Sequence, residues 1–288
     1  MLSQCRSTCV ARPNRSANSP MVSSSLDFMR TLTGTVGRML NQAIAVTRVV
    51  NSCVLLEMDG HAVLTDPWFT ERWFLRRGEP LGLRVAELPP LAAIVVTNPA
   101  TNHWDLRGLR AFPGKDSTPL YVPTAGMARR ARALGFRRVE QVRWGETREI
   151  APELSMRVVP AGRTLVWPNN AYAFSTAGSR LFFGGEIADV ALLVRYRAEH
   201  PPADLALLPV NGLRPLLGPP LVMGPAQAVA GASVLGAKVL VPVHDAHGRD
   251  PLSALFRTTG TASDAITLAG TDLTVVNLPT GERWESAR

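Results

Sequence analysis

Residues 94–109, "IVVTNPATNHWDLRGL", begin as an unbroken apolar run, pass into a polar turn and end on helical spacing. Extended back to Leu91, the run is fenced by Pro89-Pro90 in front and by Pro99 behind. A strand exposed on one face alternates polar and apolar residues, so a run this continuous predicts a central strand over residues 91–98, buried on both faces. A short helix is expected over residues 104–109. The polar positions between the two, Asn98, Asn102 and His103 among them, fall just beyond the strand end, where α/β sheets place ligands.

Upstream, "CVLLEM" and "HAVLTDP" are joined by Asp59-Gly60, a pair suited to the positive φ of a two-residue turn, so they predict a β-hairpin with His61 as an exposed edge residue. The aromatic loop "WFTERWFLRRGEPLG" follows. It reads either as a wall over a substrate or as a satellite hydrophobic cluster, and residues 68–83 are a candidate contact for a homo-oligomer. Downstream, "TAGMARRARALGF" predicts a helix with Gly135 as its C-cap, and "MRVVP", "NAYAFST" and "RLFFGG" predict strands, the last two joined by Ala177-Gly178. The chain then alternates: a helix over residues 188–198, a strand "DLALLPV", a helix "PAQAVAGASVLG", a strand "KVLVPVH" and a last strand "LTVVNLP". Hairpins followed by alternation predict sheets covered by helices on their outer faces. Asn98, His103, Gly162, Glu186 and His244 each come soon after an apolar run, so a layered fold could gather them on one edge.

With 46% hydrophobic and 19% charged residues, the 288-residue chain has globular composition. Its formal charge of +8 invites a polyanion partner, yet of the 31 basic residues only Lys115 and Lys238 are lysine, a bias closer to codon usage than to selection for nucleic acid. The densest run, "ARRARALGFRR", reads as a solvated helix face with a single aromatic, Phe136, and the chain carries no recognised nucleic-acid motif, which ranks nucleic acid last among partners. Cys5, Cys9 and Cys53 form neither a disulfide framework nor a zinc-ribbon spacing. The first 25 residues hold no apolar signal core, and no run of 18 uncharged apolar residues follows. These features predict a cytoplasmic protein with a disordered tail over residues 1–25, one domain over residues 26–288, no transmembrane segment, and Met21 or Met29 as alternative starts.

Six stretches in this order, "NSCVLLEMDGHAVLTDPWF", "AIVVTNPATNHWDL", "VVPAGRTLVWPNNAYAF", "LFFGGEIADV", "PADLALLPVNG" and "LGAKVLVPVHD", resemble the metallo-β-lactamase superfamily, in particular its lactonase-like and phosphodiesterase-like metal-dependent hydrolases. The resemblance implies an α/β (α+β layered) fold, a four-layer αββα sandwich with a metal site along one edge. Laid on the family's H-x-H-x-D-H motif, Asn98 and Ala100 stand at the first two histidines, Asn102 at the aspartate and His103 at the last histidine. A further family histidine falls on Gly162, the bridging aspartate on Glu186 and the late histidine on His244. The motif is thus degenerate: the first metal position has lost its histidines at Asn98, Ala100 and Gly162. The second keeps His103, Glu186 and His244, with Asn102 as a neutral oxygen donor.

Two imidazoles and a carboxylate suit one divalent ion, zinc first and iron or manganese as alternatives. Asp105 and Asp245, close in sequence to the ligands, are the candidate catalytic residues, as general base or as support for a ligand. His247 could approach the same edge, and Arg163, Leu165, Trp167 and Asn169-Asn170 follow the family's pattern around the lost histidine. The expected function is a mononuclear hydrolase that cleaves an ester, lactone or phosphodiester in a small molecule. The alternative is a catalytically silent member that binds a small molecule or a protein partner; a nucleic-acid hydrolase ranks last.

Overall fold

Strands β1 (Ile44–Val50), β2 (Cys53–Met58) and β3 (His61–Thr65) form an antiparallel meander. It turns at Asp59-Gly60, where both residues have the positive φ expected of the sequence pair. Parallel strands β4 (Ala93–Val95), β5 (Leu120–Val122) and β6 (Val139–Gln141) extend this first sheet. The computed structural model describes residues 44–164, 167–246 and 248–286. The expected tail over residues 1–25, the boundary at residue 26, Met21, Met29, Leu165 and His247 lie outside the described residues.

The second sheet repeats the scheme. Antiparallel β7 (Thr147–Ala151), β8 (Leu154–Thr164), β9 (Trp167–Ser175) and β10 (Arg180–Phe183) lead into parallel β11 (Leu205–Pro209). A short ribbon pairs β12 (Arg214–Pro215) with β14 (Phe256–Arg257), while β13 (Val239–Val243) and β15 (Thr274–Val275) complete the parallel half. β16 (Arg283–Glu285) returns to the first sheet and pairs with β1.

Helix α1 (Ala125–Ala133) connects β5 to β6. Likewise α2 (Val190–Glu199) connects β10 to β11, α3 (Pro225–Leu235) lies between β11 and β13, and α4 (Ala262–Leu268) lies between β13 and β15.

Side-chain alternation sorts the core into three layers. Leu205 and Leu207 of β11 join Val46, Leu56 and Val95 between the sheets, whereas Ala206 and Leu208 face outward onto Leu193, Ala228 and Ala265 of the helices. On the other outer face, Ile94 and Val96 pack with Trp68, Leu109, Met127 and Ala131. Sheets packed face to face with helices on both outer faces make the four-layer αββα sandwich that the resemblance implied.

Several expectations need correction in detail. The central strand covers only Ala93–Val95, although Ala92 and Val96 still donate backbone hydrogen bonds to Ala62 and Tyr121. The helix expected over residues 104–109 is a turn followed by a short 3-10 segment, Gly108–Ala111, because the Asp105 side chain caps Gly108 and Pro113 stops propagation. The last strand shrinks to Thr274–Val275. Of the aromatic loop, Trp68 and Phe69 are buried in the chain's own core and only Trp73, 75% exposed, is left facing outward as a candidate subunit contact. Among the described residues, no helix is long and apolar enough to cross a membrane.

Candidate metal centre

The ends of five strands converge on one point. Asp66 follows β3, Thr97 and His103 follow β4, Glu186 follows β10, Asn211 follows β11 and His244 follows β13. Each lies beyond the carboxyl end of a strand that takes part in parallel pairing, which is where open α/β sheets leave room for ligands.

Asp66 is fully buried and takes a positive φ of 37°. Its carboxylate accepts hydrogen bonds from the Thr97 amide (2.7 Å), the Thr97 hydroxyl (2.8 Å) and His103 Nδ1–H (2.7 Å). An ionised carboxylate only accepts, so this contact places the proton on Nδ1 and turns Nε2 toward the centre as a donor atom. His244 is likewise fully buried, at φ 64°, with Nδ1 3.4 Å from Asn211 Oδ1. The two imidazoles stack at 22° with centroids 5.3 Å apart.

Glu186 enters from the turn Gly184-Gly185. Its Oε1 lies 3.0 Å from His103 Nε2 and 3.3 Å from His244 Nε2. The His103 contact is short but lacks the alignment of a hydrogen bond, leaving a buried nitrogen aimed at the cluster without a hydrogen-bond partner.

One donor atom from each of the three residues lies within 4.8 Å of the others. Ligands about 2.0–2.1 Å from a tetrahedral zinc stand roughly 3.3–3.4 Å from one another, close to the separations seen here. The donor set and its spacing therefore fit a divalent cation. Burial by itself would lower the pKa of His103, but the charges of Asp66 and Glu186 outweigh it and hold it up at about 10. Burial would raise Glu186, and the two histidines instead hold it well below the usual carboxylate range. The cluster is thus electrostatically set to share a positive charge.

The remaining expected residues are placed elsewhere. Asp105 accepts from the Phe69 and Thr70 amides, the Thr70 hydroxyl and the Gly108 amide, which stitches two loops together. Asp245 pairs with the buried Arg48 guanidinium, which also holds Glu79 at 3.0 Å. Neither aspartate's carboxylate belongs to the cluster: Asp105 is bound to backbone donors and a hydroxyl, and Asp245 to a guanidinium. Asn102 is buried and lines the cleft that reaches Glu186.

At two positions where the resemblance expects a histidine, Asn98 Oδ1 accepts from the Ala100 amide (2.8 Å) in a local turn, and Gly162 has a φ of 97° with open space where a side chain would start. Arg163 lies over the Trp144 ring, and Asn170 accepts from Trp144 Nε1 at 3.0 Å, so both brace the wall. The sequence reading missed Asp66, Thr97, Asn211 and Arg48. The first three did offer a signal, a polar residue soon after an apolar strand, which by itself does not single out a ligand. Arg48 carried none, being a charge inside a strand.

Comparison with known proteins agrees with this fold. The sequence model of the beta-lactamase superfamily domain matches residues 61–244, and the chain belongs to that superfamily. The uncharacterized protein Rv0906 of Mycobacterium tuberculosis is 31% identical over 221 residues, 70% of this chain and 58% of that protein, so the chain spans little more than half the length of this curated relative. The mitochondrial N-acyl-phosphatidylethanolamine-hydrolyzing phospholipase D of Saccharomyces cerevisiae is 28% identical over 123 residues, 40% of this chain and 26% of that protein. Among solved structures, isothiocyanate hydrolase from Delia radicum gut bacteria superposes with a TM-score of 0.66 at 18% identity, covering 83% of this chain and 98% of that one, a likeness of fold.

Two substitutions test the supports. Gly185 has a φ of 56°, and a Cβ there would stand 2.5 Å from Thr97 Cγ2 and 3.1 Å from the Asn170 carbonyl oxygen. Gly185→Ala is expected to cost at least about 1–2 kcal/mol from the left-handed conformation alone, measured by urea unfolding. Arg48→Leu leaves Asp245 and Glu79 without their counter-charge. It is expected to cost about 3 kcal/mol, the low end for a broken buried pair because both carboxylates keep some solvent, with unfolding followed by circular dichroism.

Proposed function

We propose that the chain is a metal-dependent hydrolase with a single divalent cation held by His103, Glu186 and His244, with Asn102 as a neutral oxygen donor. Zinc is the first choice and iron or manganese the alternatives. One observation carries this reading: three donors from distant parts of the chain meet in the interior, and a buried imidazole nitrogen among them has no hydrogen bond. A cation bound there supplies Lewis acidity and brings the pKa of a coordinated water down toward about 7.

The chain's own residues do the rest. Asp66 and Asn211 fix the two imidazole rings through their Nδ1 atoms. Glu186 is the one member of the trio that lines the cleft, so substrate meets the centre on its side. Asn102 and Asn169 line the same cleft and offer amides to orient a polar group. Ester, lactone and phosphodiester are the bond classes considered. The phospholipase D activity named for the yeast relative supports the third. The scarcity of cysteine supports a cytoplasmic setting.

One observation favours the second reading, a silent fold that binds a small molecule or protein. Asp105 and Asp245 are both held elsewhere, and Asn98 is absorbed into a turn.

The deciding experiment is elemental analysis of protein purified without added metal, paired with turnover of bis(p-nitrophenyl) phosphate and p-nitrophenyl acetate. The expected result is about one equivalent of zinc, iron or manganese, lost with turnover in His103→Ala and in His244→Ala. Metal-free protein with unchanged folding stability on addition of zinc or manganese would favour the silent reading.

A further inference from the structure

The cleft over Glu186 has a volume of about 810 Å³, enough for a drug-sized ligand, and both guanidiniums and large apolar side chains line it. Four arginines line it: Arg129, Arg130, Arg249 and Arg257, all exposed. Its carboxylates are both engaged. Asp250 accepts from the Arg76 and Ser253 amides, and Glu186 lies between the two histidines. Arg257 donates to the Leu216 carbonyl oxygen, and none of the four has an ion-pair partner among the described residues. The first turn of α1, at Gly126 and Met127, faces the same space and adds the positive end of its dipole.

Leu213, Leu221, Leu252 and Phe256 line the same cleft, alongside polar side chains such as Asn102, Asn169 and Ser253. Close to the ribbon in sequence, Leu255, 60% exposed, directly precedes β14, whose Phe256 lines the cleft, and Leu217, 94% exposed, follows β12. Apolar side chains left this open beside a cleft mark a surface that something apolar covers. A small inorganic anion would use only the guanidiniums, and a neutral hydrocarbon only the leucines.

We propose that this cleft binds a single-chain anionic amphiphile, with a phosphate or carboxylate head on Arg129, Arg130, Arg249 and Arg257 and a hydrocarbon arm along Leu213, Leu221, Leu252 and Phe256. The pair Arg129-Arg130 from the basic run thus has a role beyond a solvated helix face. The proposal deepens the hydrolase reading and rests on the cleft serving the His103–Glu186–His244 centre. Binding is read on chelator-treated protein, so its failure and the failure of the metal reading are distinguishable.

The test is isothermal titration of the full chain with dodecyl phosphate below its micellar concentration, with inorganic phosphate and uncharged dodecyl maltoside as references. Dodecyl phosphate is expected to bind at least about tenfold more tightly than either reference. The double variant Arg129→Gln/Arg130→Gln, on the exposed face of α1, is expected to lose about tenfold while keeping its circular dichroism spectrum, and Leu221→Asn to lose a similar factor. Co-sedimentation with phosphatidylcholine vesicles containing phosphatidic acid would assign the head to a bilayer lipid, and binding of the monomer alone to a free amphiphile. Equal affinity for dodecyl phosphate and either reference, no binding of dodecyl phosphate, or unchanged binding in the double arginine variant would overturn the proposal.

Discussion

The Asp66 carboxylate is the tie on which the edge of the sandwich depends. A charge buried this deeply is tolerated only when its acceptor capacity is filled, and here the filling groups are the Thr97 amide, the Thr97 hydroxyl and the His103 ring. The same three contacts join the end of β3 to the end of β4 and set the tautomer of His103. Removing the carboxylate would release the ring and leave three donors unsatisfied at once. The fold and the chemistry of the centre therefore share one anchor.

From that anchor the arrangement follows from topology. Both sheets run from an antiparallel meander into a parallel half, and the loops that leave the parallel strands gather along one edge. Two of them carry residues in left-handed backbone conformations, Asp66 and His244, held by neighbours that leave no freedom. Across the sheets, the Tyr172 hydroxyl donates to the Val96 carbonyl oxygen at 2.6 Å and the Asn170 amide to that of Thr97 at 2.9 Å. These bonds register the second sheet, with Glu186, against the first, with His103. On the far side, Arg48 reaches from β1 to Asp245 and holds the backbone just after His244.

Much of this was legible in the chain. Continuous apolarity at residues 91–98 marked a buried strand, Asp59-Gly60 marked the hairpin, and the resemblance to the metallo-β-lactamase superfamily marked His103, Glu186 and His244, which the structure brings together. Proximity in sequence did not bring the Asp105 and Asp245 carboxylates into the cluster, because a side chain beside a ligand can point away from it, and theirs satisfy loop amides and a guanidinium. The helix over residues 104–109 failed for the same reason: the spacing was helical, but a buried carboxylate captured the turn. Arg48 could not be found at all, since a strand pattern does not show which charge its side chain will meet two hundred residues later.

The central claim is that two imidazoles and one carboxylate hold one cation at this edge. X-ray absorption at the zinc edge of the zinc-loaded full chain tests it most directly. The account predicts two imidazole nitrogens and further oxygen ligands at about 2.0–2.2 Å, with no neighbouring metal. A second metal about 3.5–4 Å away, or a spectrum without imidazole scattering, would contradict it.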